Sequence, residues 1–192
     1  MHITLANKIT IFRIFNVPIF VLLLLYYKHS VKVGAPYELY RYFATAVFSI
    51  TICLDIIDGY LARKRNEISK LGRVLDPLAD KSLLVSAFIL LSSNSIGTDH
   101  SHLPLWFVLL VISRDIVLVT GALLINYVAG TIRVQARIFG KAATFFQTMV
   151  ILLVLFKIQG QIFIGCITCT AVCTLVSGIQ YCIDGYHQIE SI

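Results

Sequence analysis

The sequence predicts an all-α membrane protein: a bundle of about six transmembrane helices with a short cytoplasmic N-terminal segment. Two observations carry this expectation. The 192 residues are 58% hydrophobic and only 14% charged, whereas a soluble domain is usually about 45–50% apolar and about 25% charged. Apolar stretches close to the roughly 20 residues that a bilayer span needs recur at 8–28, 41–64, 74–93, 104–127, 138–157 and 161–183. The same figures disfavour a soluble enzyme, a disordered chain and a secreted disulfide scaffold.

Each span has a reason to begin and end. The first follows Lys8 and Arg13, and Tyr26, Tyr27, Lys28 and His29 stand where a signal peptide would carry small residues for cleavage. It therefore reads as a retained helix. Gly34 and Pro36 break the chain before the second span, and a short polar connection from Arg63 to Gly72 leads to the third. Asn94 to Pro104 separate the third from the fourth. Gly130, with Arg133 and Arg137, precedes the fifth, and Gly160 precedes the sixth. No alternating strand pattern, low-complexity tract or internal repeat interrupts this order, so 1–192 reads as a single domain. A helix satisfies its own backbone hydrogen bonds in lipid, which leaves helices as the spanning option for this pattern.

The formal charge of +6 points to anionic headgroups and phosphates, and not to nucleic acid, because no basic stripe with interleaved aromatics is present. Arg63, Lys64, Arg65, Lys70 and Arg73 crowd the second connection, and Arg133, Arg137 and Lys141 the fourth. The positive-inside rule places both connections and both termini in the cytoplasm, with Lys28, Lys32 and Arg41 of the first outer loop as a mild exception. Cys53, Cys166, Cys169, Cys173 and Cys182 lie in apolar stretches, where cysteine acts as a small hydrophobe. His100 and His102 beside Asp99 read as a polar loop tip.

Ionisable groups inside the spans carry the chemistry. Each costs several kcal/mol (roughly 2.5–3.5 on insertion scales) unless it faces a polar interior. Lys and Arg can snorkel to the surface, but Asp is too short. Asp55 and Asp58 are three residues apart and share a helix face; Asp76 and Asp80 are four apart and share another. The short connection makes these helices antiparallel neighbours, so four carboxylates converge near the cytoplasmic surface. Unneutralised, they would repel one another. Hard divalent cations with oxygen ligands solve that problem, and Mg²⁺ keeps positions open for phosphate oxygens. Two ions suit four carboxylates and would clamp a pyrophosphate. Gly59, Ala62 and Gly72 allow close approach of a ligand or of a neighbouring helix, and Arg63 suits a phosphate or snorkels.

The spacing Asp55-x2-Asp58-Gly59-x2-Ala62-Arg63-x8-Gly72-x3-Asp76-x3-Asp80 resembles the signature of the CDP-alcohol phosphatidyltransferases at every position. The six spans and the chain length agree with that family. Asn7-Lys8-Ile9-Thr10 with Arg13 and Pro18, and the run from Asp76 to Lys81, look most like its bacterial phosphatidylglycerophosphate synthases. The resemblance implies transfer of a phosphatidyl group from CDP-diacylglycerol to an alcohol, with release of CMP. It implies metal ligation by Asp55, Asp58 and Asp76, and Asp80 as the base, touching the second metal. Asp55, Gly59, Ala62, Arg63, Gly72 and Asp76 would line the CDP site. Two Mg²⁺ or Mn²⁺ ions, a homodimer and a bacterial inner membrane with the site facing the cytoplasm are further expectations of the resemblance.

The acceptor rests on Arg114, Arg137 and Lys141, which suit an anionic alcohol such as glycerol 3-phosphate. Arg133 and Arg137 serve equally as positive-inside residues, and Asp115 could be a structural partner of Arg114. Phosphatidylglycerophosphate synthases usually show Arg-Glu-Phe where this chain has Arg114-Asp115-Ile116. The Arg-Asp run resembles the cardiolipin synthases of the same family, whose acceptor is phosphatidylglycerol. Gly140-Lys141 with Thr144 and Gln147 is common to both. A small ion transporter with an acidic path is the alternative of another class. The acids cluster at one surface and no repeat is present, which speaks against it.

Overall fold

The computed structural model describes residues 5–65, 72–92, 103–129 and 138–190, with side chains described over 12–57, 81–92, 103–121 and 138–185. Six helices follow one another as the apolar runs predict: α1 (Leu5–Lys32), α2 (Glu38–Arg65), α3 (Gly72–Ser92), α4 (Leu105–Ala129), α5 (Ile138–Leu155) and α6 (Gln161–Glu190). Among the described residues there is no strand. Among the described residues, four stretches are long and apolar enough to cross a bilayer: Phe12–Lys32, Glu38–Ile57, Ile138–Leu155 and Gln161–Gly185. The described apolar run of α3, Lys81–Ser92, is shorter. Phe15, Ile138, Phe145, Ile162 and Ile164 are more than 60% exposed, as side chains meeting hydrocarbon would be.

Helix ends are set by local stops and not by where hydrophobicity fades. α1 runs past residue 28 to Lys32 because its stop is Gly34, at φ +78°. The Ala35 N–H donates to the Ser30 carbonyl and the Gly34 N–H to that of Val31, both at 3.1 Å. This bond pair is a Schellman cap, which needs a left-handed residue. The same pair closes α5, from Ile158 to Leu153 at 2.8 Å and from Lys157 to Val154 at 3.0 Å. There the left-handed residue is Lys157, at φ +56°. Gly160 therefore does not end α5. It stands at φ +97° and accepts a hydrogen bond from the Ile164 N–H at 3.2 Å, opening α6.

The packing falls into two compact units, Met1–His102 and Leu103–Ile192. In the first, α1 packs along α2 and along α3. The pairs Arg13–Asp55, Asn16–Thr51, Phe20–Phe48 and Tyr27–Glu38 run in opposite directions along the two chains, so α1 and α2 are antiparallel. Phe20, Leu24, Ala44, Phe48, Ala87 and Phe88 are fully buried. Among the described residues α1 is the common neighbour of α2 and α3, and direct packing of α2 on α3 is not found. The residues from 66 to 71, expected to join those helices as neighbours, lie outside the described ones.

In the second unit, α6 packs on both α4 and α5. Phe107, Ala143, Gln147, Val150, Ile151 and Thr170 are fully buried. Lipid is as apolar as leucine, so association here rests on close packing and on polar pairs between helices. The Tyr181 hydroxyl donates to the Leu118 carbonyl at 3.1 Å. Gly121 makes room for that ring, since a Cβ there would lie 2.7 Å from Tyr181 Cε1.

Gly34→Ala tests the α1 cap. No atom lies within 4 Å of the added Cβ, so the substitution acts through backbone conformation alone. It should destabilise the folded protein by about 1–2 kcal/mol, read as a lower thermal midpoint in detergent. An unchanged midpoint would mean that the loop does not require the left-handed residue.

Candidate active site

The acidic motif begins on α2. Asp55, Asp58, Gly59, Ala62 and Arg63 lie on that helix, and Gly72, Asp76 and Asp80 lie on α3. Helical spacing is thus in place for both pairs of aspartates. Of the motif side chains only that of Asp55 falls within the described ones. Those of Asp58, Gly59, Ala62, Arg63, Gly72, Asp76 and Asp80 lie outside, as does Arg137. Among the described residues no three acidic, histidine or cysteine groups come together.

Asp55 is held from behind. Arg13 Nη1 lies 2.6 Å from Asp55 Oδ1, with the Arg13 side chain 2% exposed and that of Asp55 41% exposed. One turn along, Asn16 Nδ2 donates to Thr51 Oγ1 at 3.2 Å, and Thr51 Oγ1 donates to the Val47 carbonyl at 2.7 Å. Two polar residues of α1 therefore meet two polar residues of α2. An arginine buried in a bilayer span needs an anion, and Asp55 supplies it. In return the arginine fixes one carboxylate oxygen and leaves Oδ2 without a partner among the described residues.

This donor arrangement fits a divalent cation. Asp55 keeps one hard oxygen, is reachable, and has its orientation set by a charge-assisted bond of the short, strong kind. Sequence reasoning treats Arg13 only as a flanking charge and as part of the N-terminal resemblance; its pairing with the motif was missed. The available signal was spacing. Arg13 and Asn16 are three apart in one apolar span, and Thr51 and Asp55 four apart in the next.

The candidate acceptor residues lie in the second unit. Arg114 on α4 gives Nη1 to Asp115 Oδ1 at 2.8 Å and Nη2 to Ser177 Oγ of α6 at 2.7 Å. The Arg114 and Asp115 side chains are 9% and 10% exposed. A Cβ on Gly140 would lie 3.4 Å from Arg114 Nη2, and one on Gly178 3.7 Å from Arg114 Cγ. Small residues of α5 and α6 thus leave the space that the guanidinium fills. Lys141 follows Gly140 and is exposed. The structure therefore brings Arg114 and the Lys141 turn of α5 together and makes Asp115 the structural partner of Arg114. Thr144 Oγ1 donates to the Gly140 carbonyl at 3.1 Å. Of the five cysteines, all free thiols, Cys166, Cys169 and Cys173 lie along α6.

Similarity to known proteins extends over most of the chain. The model of the CDP-alcohol phosphatidyltransferase family matches residues 3–177. The CDP-diacylglycerol–glycerol-3-phosphate 3-phosphatidyltransferase of Bacillus subtilis is 36% identical over 150 residues, covering 77% of this chain and 74% of that protein. The probable phosphatidylglycerophosphate synthase of Mycobacterium tuberculosis is 31% identical over 191 residues, covering 98% and 84%. A CMP-forming cardiolipin synthase of Streptomyces coelicolor is 34% identical over 144 residues, covering 74% and 60%. The family model spans most of the chain, including the whole acidic motif, and the chain belongs to the CDP-alcohol phosphatidyltransferase family.

Proposed function

We propose that this chain transfers the phosphatidyl group of CDP-diacylglycerol to glycerol 3-phosphate, giving phosphatidylglycerophosphate and CMP. The observation that carries the reading is the complete motif from Asp55 to Asp80 at the ends of α2 and α3. The names of the Bacillus and Mycobacterium relatives support the acceptor. In the proposed reaction the acceptor hydroxyl oxygen bonds to the phosphorus that carries diacylglycerol. The bond from that phosphorus to the bridging oxygen breaks, and CMP leaves with the bridging oxygen.

Asp80 takes the hydroxyl proton, which requires hydrogen-bond reach to that group. Asp55, Asp58 and Asp76, with Asp80, would hold two Mg²⁺ or Mn²⁺ ions, which when bound supply charge neutralisation at the pyrophosphate oxygens. Gly59, Ala62, Arg63 and Gly72 would line the nucleotide. Arg114, Arg137 and Lys141 would receive the acceptor phosphate. Arg114 and the Gly140–Lys141 turn support this role, because the Arg114 guanidinium lies beside Gly140 in the first turn of α5, the turn that carries Lys141, where the helix dipole favours an anion. A homodimer in a bacterial inner membrane, with this site facing the cytoplasm, completes the proposal.

A second reading has its own observation. The Arg114–Asp115 pair presents a neutralised cation, which suits the single charge of a phosphodiester, and the Streptomyces relative is named a cardiolipin synthase. Purified protein in detergent, given CDP-diacylglycerol and Mg²⁺ or Mn²⁺, separates the two. CMP should appear with glycerol 3-phosphate and not with serine or inositol phosphate, and EDTA should abolish its release. Product from phosphatidylglycerol alone would make the cardiolipin reading correct, and full activity in excess chelator would remove the metal from the proposal.

Asp80→Asn keeps the shape and removes the base. Turnover should fall by roughly 10² or more, while CDP-diacylglycerol still binds. Near-normal turnover would place the base elsewhere.

A further inference from the structure

Arg114 is held from two sides within the second unit. Its guanidinium is held on one side by Asp115 at 2.8 Å and on the other by Ser177 at 2.7 Å. Two of its N–H groups are thereby spent inside the protein, and the whole side chain is 9% exposed. The acidic partner is adjacent in sequence, so the pair travels together on α4. Gly140, the residue before Lys141, lets Nη2 and Ser177 Oγ come close to the α5 backbone, since a Cβ there would lie 3.4 Å from each.

These contacts do two separable things. The hydrogen bonds fix the direction of the guanidinium. The carboxylate charge cancels much of the field that an approaching phosphate would feel. Ser177 does the first only, being neutral, whereas Asp115 does both. A dianion loses more from this cancellation than a monoanion, because the Coulomb energy scales with the ligand's charge.

We propose that Asp115 is a specificity-determining residue: its charge, set against Arg114, weakens the pull of the site on a dianionic acceptor phosphate relative to a monoanionic phosphodiester. This rests on the reading of Arg114 as a receiver of the acceptor phosphate. Asp115 acts through Arg114 and is a positioning and tuning residue, not a catalytic one.

Asp115→Asn keeps an acceptor oxygen for Nη1 and deletes the charge. The KM for glycerol 3-phosphate should fall about tenfold, and the fall should shrink at high salt. Inhibition by the methyl ester of glycerol 3-phosphate, a monoanion, should strengthen only about threefold by the same charge scaling. The KM for CDP-diacylglycerol should stay where it is. Ser177→Asp and Ser177→Asn run the test in the opposite direction and leave Arg114 paired should Asp115→Asn fail to fold. They match in size, and the aspartate variant should show a KM for glycerol 3-phosphate about tenfold above the asparagine variant. Arg114→Ala separates the two levels. If it raises the KM for glycerol 3-phosphate while both charge comparisons give equal values, the tuning role of Asp115 is wrong and the acceptor reading stands. If it leaves that KM unchanged, the acceptor reading of Arg114 is wrong and the inference goes with it.

Discussion

A buried arginine and a half-exposed aspartate, 2.6 Å apart, tie the first helix of this protein to its chemistry. Arg13 cannot sit in an apolar span without an anion, and the anion it takes is the first carboxylate of the family motif. Losing one partner of a fully buried pair typically costs about 3–5 kcal/mol, and a pair with one exposed partner costs less. The cost is asymmetric here. Replacing Asp55 removes an anion from an arginine that is 2% exposed, whereas replacing Arg13 leaves a carboxylate that is 41% exposed and can still reach water. Substitution of Asp55 therefore injures the fold as well as the site, and loss of activity in such a variant does not isolate a metal-ligand role.

The same logic orders the second unit. Arg114 is paired with Asp115 and Ser177 in a niche that Gly140 and Gly178 leave open. In both units a cation inside a bundle is neutralised by a carboxylate and seated between helices. The difference lies in what remains available. Asp55 keeps an oxygen without a partner among the described residues, which suits a cation, whereas Arg114 Nη2 lies beside Gly140 in the first turn of α5, which suits an anion. A transferase that joins a pyrophosphate lipid to an anionic alcohol needs one site of each kind.

Six helices and their order were legible from hydrophobic runs, because lipid leaves the backbone few alternatives. Where helices stop was less legible. Lys157 takes a left-handed conformation that lysine rarely adopts, so the fifth span, expected to reach 157, ends two residues earlier at Leu155. The motif aspartates stand out in the sequence because four short acids in apolar helices have few bland explanations, and their helical placement on α2 and α3 follows the expected spacing. Arg13 was not, since an arginine near a chain start also reads as a topology signal, and its partner is 42 residues away. Asp115 was legible only as an alternative, because adjacency in sequence does not say whether two side chains meet.

Manganese binding, followed by electron paramagnetic resonance on the purified protein, reaches the central claim without relying on turnover. Four carboxylates at the ends of α2 and α3 should take up two Mn²⁺ per chain. The two ions should lie close enough to give a spin-coupled signal, as in two-metal sites with ions about 3.5–4 Å apart, and Asp76→Asn should abolish the coupling. A chain that binds no Mn²⁺, or one isolated ion whose signal ignores Asp76→Asn, would contradict the reading of this motif as a paired-metal site.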